Sequence, residues 1–327
     1  MKKNRGFTLV ELMISLTLGL ILVAIAVQLL VSGQSNYRIQ QAVSTIQDSG
    51  VFSLNAVTKN IRLANHGNTD KINDETLYGG IVLSMQDPTG ITPVRNGNLH
   101  NLKIGSSDIT DEQGVSQNAY TNSGFGTLKS DQLVIIYQAP IEMTTCTGRT
   151  AEGSARTVDT TDGTMTLHKG WFVVERYYIK QNTTTGSADL YCSDAMFLAK
   201  GEQIPTGSPW TAAEILDRDY IQLGGQLVAP NVDYMRVQLL VKNLDNTNAT
   251  LSIADYKTLA VTETTKRPAV IGVNLGWLVR SSEKLQNLDS KTYQVLDQSL
   301  TAPDDKYMRH IYTTSIALRN GGLGVAP

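Results

Sequence analysis

The stretch Gly6-Phe7-Thr8-Leu9-Val10-Glu11 stands between a short basic leader, carrying Lys2, Lys3 and Arg5, and an apolar run that continues to Val31. Glu11 is the one charge between Phe7 and Val31. As a helix rising about 1.5 Å per residue, this run would be roughly 37 Å long, enough to cross a bilayer core of about 30 Å. A lone carboxylate in such a segment costs about 2.5–3.5 kcal/mol, which marks it as a functional position. An ordinary secretory signal is the competing reading, with Ala24-Ile25-Ala26 as its cleavage site. A plain signal anchor is a further alternative. Against both, a glutamate sits one turn into the run. Against a cleaved signal, the run also continues past Ala26 through Val27, Leu29, Leu30 and Val31.

These residues resemble the class III signal of type IV prepilins. The resemblance implies cleavage between Gly6 and Phe7 by a prepilin peptidase, and N-methylation of the new terminus at Phe7. It also gives Glu11, the fifth mature residue, a role in assembly. A leader of residues 1–6 is then followed by a helix over 7–65, whose first part, 7–31, spans the membrane or lies in a filament core.

From Ser32 to about Asn65 the pattern stays helical and turns one-sided. Val43, Ile46, Gly50, Leu54, Val57, Ile61 and Ala64 recur at three- and four-residue steps, with Gln40, Gln47, Asp48, Asn55 and Lys59 between them. That face is expected to pack on the rest of the chain. His66-Gly67-Asn68 supplies a stop. Gly19, Gly33 and Gly50 each cost the helix about 1 kcal/mol relative to alanine and are its weak points.

Three segments resemble the minor pilin family PilW: Ser35 to Ala42, Ile46 to Phe52, and Asn60 to Ala64. Val51 stands where that family tends to have a basic residue, and the cysteine it often carries after the helix is missing. Beyond about residue 65 the resemblance is expected to be faint, limited to Val232–Val241 and Met308–Asn320.

Residues 66–327 form the head. Apolar, β-branched and aromatic runs bounded by turn residues predict strands at Leu133–Tyr137, Trp171–Ile179, Met196–Leu198, Tyr234–Val241, Val270–Val279 and Ile311–Leu318. Thr211–Arg218 is the best short-helix candidate. The polar tracts near 105–126, 144–166, 181–189 and 243–250 read as loops. The fold class is therefore α+β: a long N-terminal helix packed on an antiparallel, β-rich globular head, in one domain or two closely joined lobes.

Removing Lys2, Lys3 and Arg5 from 28 basic side chains leaves 25 against 30 acidic ones, a mature charge of −5. A nucleic-acid partner is not expected. The basic leader places the head outside the inner membrane by the positive-inside rule. For such an exported head, Cys146 and Cys192 are expected to form a disulfide; in a reducing compartment they would be two unrelated thiols.

Catalytic and metal-binding signatures are missing from the sequence, and no cofactor is expected. His66, His100, His168 and His310 are not at ligand spacing, and no nucleophile elbow or phosphate loop occurs. Asp159–Gly163 and Asp245–Asn248 have calcium-like composition without the loop spacing, so turn chemistry accounts for them. Trp171, Trp210 and Trp277 read as core or interface anchors.

The resemblance implies a non-enzymatic minor pilin that enters a type IV pilus and helps prime its assembly, at or near the tip. Its partners would be other minor pilins, the major pilin, the prepilin peptidase and a large tip adhesin. The chain would sit in the inner membrane before assembly and on the cell surface afterwards. A minor pseudopilin of a type II secretion system is the alternative. An anchored periplasmic enzyme or binding protein is a third reading.

Overall fold

A computed structural model describes residues 8–85, 97–99, 102–104, 107–108, 114–126, 128–158, 163, 165–182, 186–198, 215–216, 225–243, 245–262, 265–286 and 288–319. Helix α1 (Leu9–Gln47) begins at Thr8, whose hydroxyl accepts from the Glu11 amide while the Glu11 carboxylate accepts from the Thr8 amide. It runs unbroken through Gly19 and Gly33, where the surroundings are open. A π-helical turn (Asp48–Phe52) around Gly50 then leads into helix α2 (Ser53–Ile61). The α-helix stops at Ile61, short of the expected Asn65, because the next turn tightens to i→i−3 bonds, Leu63 amide to Asn60 carbonyl and Ala64 amide to Ile61 carbonyl, before positive φ at Asn65 (68°) and Gly67 (87°) turns the chain away.

Nine strands build two antiparallel sheets. The first contains β1 (Gln117–Asn122), β2 (Lys129–Gln138), β3 (Phe172–Gln181), β4 (Ala188–Phe197) and β5 (Gln226–Ala229), in the order β5-β4-β3-β2-β1. The second contains β6 (Val232–Lys242), β7 (Asn248–Ser252), β8 (Ala269–Lys284) and β9 (Tyr307–Ala317), in the order β7-β6-β8-β9. A short helix, α3 (Ile253–Thr258), follows β7. The sheets join where β2 meets β6: the Ser130 hydroxyl donates to the Met235 carbonyl at 3.0 Å, and the Asp131 carboxylate accepts from the Val237 amide at 2.8 Å.

The central strands of the first sheet are buried on both faces, which is why Leu133–Tyr137 reads as a continuous apolar run and Trp171–Ile179 as an apolar and aromatic run interrupted by Glu175 and Arg176. One face packs against Val82, Met85, Leu99 and Val115. The other joins a core that also takes in Ile46, Val57, Ile61 and Ala64 of the helical segment and both sheets. Helix and head therefore share one core. The predicted one-sided helical face is buried at Ile46, Gly50, Val57, Ile61 and Ala64 and half-buried at Val43 and Leu54.

The six predicted strands fall within, or overlap, β2, β3, β4, β6, β8 and β9. Four tracts expected to be loops carry strands instead: β1 within 105–126; the hairpins Met143–Ala151 and Ala155–His168 overlapping 144–166; the start of β4 within 181–189; and β7 overlapping 243–250. These strands are polar, edge-positioned or short, and their register comes from backbone pairing with a neighbour rather than from an alternating apolar face. The helix expected over Thr211–Arg218 is corrected at its middle, where Ile215–Leu216 pair in parallel with Lys103–Ile104. Its other residues lie outside the described ones.

Candidate assembly surface

The leader, Gly6 and Phe7 lie outside the described residues. Immediately after them, the Glu11 carboxylate is held locally: its Oε2 accepts from the Thr8 amide at 3.1 Å and the Thr8 hydroxyl at 3.0 Å. Its Oε1 has no hydrogen-bond partner among the described residues. From Leu9 to Val31 every side chain is exposed, so the head covers none of the apolar run. The exposed apolar side chains continue past it on the helix surface, at Tyr37 (67%), Ile39, Val51 and Phe52 (72%). A chain whose longest helix exposes this much apolar surface needs lipid or other helices around it.

The second half of the helix is fixed to the head at two points. At the π turn, the Tyr312 ring from β9 lies against Gly50, where an added Cβ would fall 2.1 Å from a ring carbon. The Tyr312 hydroxyl donates to the Ile46 carbonyl at 3.3 Å. A side chain at position 50 would therefore have to displace the Tyr312 ring.

The other point is Glu175, wholly buried in β3. Its Oε1 accepts from the Asn60 side-chain amide of α2 at 3.2 Å, the Tyr137 hydroxyl at 3.0 Å and the Cys146 amide at 2.8 Å. Its Oε2 accepts from the Tyr177 hydroxyl at 2.6 Å. Burial pushes this carboxyl above the usual carboxylate range, while the bonds from Tyr177, the Cys146 amide and Tyr137 pull the other way. The neighbouring Asp194 is engaged by Arg149 at 2.9 Å. Cys146 and Cys192 are joined by a disulfide with Cα atoms 6.2 Å apart, so the covalent bridge fixes the amide that holds Glu175. Sequence reading singled out the two cysteines but missed Glu175, which sits beside Arg176 in strand β3 with no motif to mark it.

Among the described residues no group of acidic, histidine or cysteine side chains is placed to hold a metal ion. The His66 Nδ1 lies 2.7 Å from the Gln138 carbonyl oxygen, and the His310 ring meets Tyr312 edge-on. Asp245 closes its own turn by accepting from the Thr247 amide and hydroxyl. Trp171 and Trp277 are buried in the main core. Asp159–Asp162, His100 and Trp210 lie outside the described residues.

The family model for the type IV pilus-assembly protein W, PilW, matches residues 176–320, and the prokaryotic N-terminal methylation motif matches residues 1–27. The chain carries a PilW domain behind an N-terminal methylation motif. The family-specific match runs from β3 through β9, so the likeness in the head is broader than the two faint segments expected from sequence. The chain is a type IV pilin-like protein with a PilW domain, of a class of structural subunits, and its apolar helix and N-terminal methylation motif point to membrane anchoring before assembly. A type IV-like pilin from Thermus thermophilus is similar in structure at 10% identity and a TM-score of 0.35, covering 83% of this chain and 95% of that one. No curated protein matches this chain in sequence.

Proposed function

We propose that this chain is a minor pilin of the PilW type that is cleaved between Gly6 and Phe7, leaves the membrane with its helix bundled among those of other pilins, and helps prime the pilus at or near its tip. The observation that carries this reading is the division of the helix. Its first half is bare and apolar, while its second half is locked to a large head through Tyr312 and Glu175. Pulling on the first half therefore moves the head as one body. The exposed Tyr37, Val51 and Phe52 extend the apolar contact beyond the membrane-spanning part and suit packing against neighbouring pilin helices.

Within a filament core, the positive α-amine of Phe7 and the carboxylate of Glu11 would each be costly alone. We infer that Glu11 meets the terminal amine of an adjacent subunit, with the free Oε1 as acceptor, and sets axial register. The local bond to Thr8 is kept alongside.

Immunogold labelling of an epitope in the head tests the placement. Label at pilus ends, with few pili formed in cells lacking the chain, is the expected result. Label spread along the shaft, or normal pili with a loss of protein secretion, contradicts it; the latter points to the pseudopilin role.

A further inference from the structure

The head leans over the helix where the apolar run ends. Strand β8 continues beyond Val279, its last pairing with β6, and its end at Ser282–Lys284 lies beside α1. Between them is a groove of about 980 Å³ whose walls include Leu29, Leu30, Tyr37, Arg38, Lys284 and Tyr307. It is graded in chemistry. Leu29 and Leu30 belong to the membrane-spanning run, and Arg38 lies eight residues beyond Leu30, about 12 Å along the helix axis. Helical Cα–Cβ bonds tilt towards the N-terminus, which brings the bilayer side of the groove within reach of an extended Arg38 side chain. A headgroup layer is roughly 5–7 Å thick on each side of the hydrocarbon core, within reach of that side chain.

Lys284 faces the same space, with its Nζ 5.4 Å from the Tyr307 ring centroid. Glu283 also lines the groove, leaving it one net positive charge. Arg38, Glu283 and Lys284 form no ion pair among the described residues. Tyr37 and Tyr307 supply the amphipathic rings that settle at a membrane interface.

We propose that this groove seats an anionic phospholipid of the leaflet facing the head, with an acyl chain along Leu29 and Leu30 and the phosphate between Arg38 and Lys284. The inference rests on reading Leu9–Val31 as the membrane segment. Apolar lining, two aromatic rings and a net positive charge around one groove fit an anionic lipid better than they fit a second apolar helix, which would leave that charge unmatched.

The test uses the full chain in mild detergent with added phosphatidylglycerol, read by native mass spectrometry. Wild type and the remote control Lys129→Gln are expected to retain the lipid. Each of Arg38→Gln and Lys284→Gln should weaken retention roughly fivefold. Equal retention by wild type and the double variant overturns the seat, as does equal retention of phosphatidylcholine. A second copy of the chain bound in place of lipid also overturns it. Alkaline extraction of native membranes checks the underlying reading separately. Both wild type and the double variant should stay with the membrane, and release of wild type overturns the anchor and the seat together.

Discussion

The side-chain amide of Asn60, near the end of the N-terminal helical segment, donates to the buried carboxylate of Glu175 in the central strand of the five-stranded sheet, at 3.2 Å. Together with a bond from the same amide to the Tyr177 hydroxyl at 3.2 Å, this contact ties the helical segment to strand β3, whose Glu175 is also held by the amide of the disulfide-bonded Cys146. Glu175 is also where pH acts on the joint.

The Glu175 carboxyl is raised above its reference value of 4.5, chiefly by burial. Its contribution to stability is therefore fully present below about 4.5 and is lost as pH rises through the elevated folded value. Glu175→Gln removes this titration, so the variant should gain stability relative to wild type between pH 4 and pH 8. Asp131 and Asp233, each pushed up to about 6 by burial, titrate in both proteins and cancel in the comparison. Thermal unfolding of the full chain in detergent across this range checks the sign; a difference that shrinks or reverses with rising pH contradicts it.

Gly50→Ala drives a methyl group into the Tyr312 ring. A loss of about 1–3 kcal/mol is expected, as for other overpacked sites. Tyr312→Ala in the same chain should recover part of it, giving a coupling of opposite sign in a double-mutant cycle. Additive effects of the two changes would mean that the ring and the π turn do not meet.

Replacing both Cys146 and Cys192 by serine opens a loop closed across 46 residues of sequence. Loop entropy sets the loss at roughly 4 kcal/mol, readable as a lower denaturant midpoint. Peptide mapping without reductant should find the bridge in freshly exported protein, and two free thiols there would refute the assignment.

Glu11→Gln keeps the shape of the side chain and removes its charge. Cleavage and membrane level should stay normal, while recovery in sheared filaments falls, because losing one partner of a desolvated pair costs about 3–5 kcal/mol. Wild-type recovery of the variant would leave Glu11 with its local role beside Thr8 alone.

Much of this architecture was legible in the residues. The helix could be read because its two halves differ in periodicity, all-round apolar up to Val31 and one-sided from Val43 to Ala64. Buried strands such as Leu133–Tyr137 announced themselves by unbroken apolar runs. Strand β1, QNAYTN, did not, since it is a polar edge that pairs through its backbone. The hidden start of β4 contains Asp189, whose carboxylate accepts from the Asn231 amide, a partner 42 residues away. Glu175 was illegible for the same reason: its donors come from α2, β2, a loop and its own strand, brought together only by the fold.

The most direct measurement is mass spectrometry of the N-terminal peptide of this chain recovered from sheared pili. The account predicts a peptide that begins at N-methylated Phe7. A chain beginning at Val27, one retaining Met1, or no trace of the chain in the filaments would contradict it.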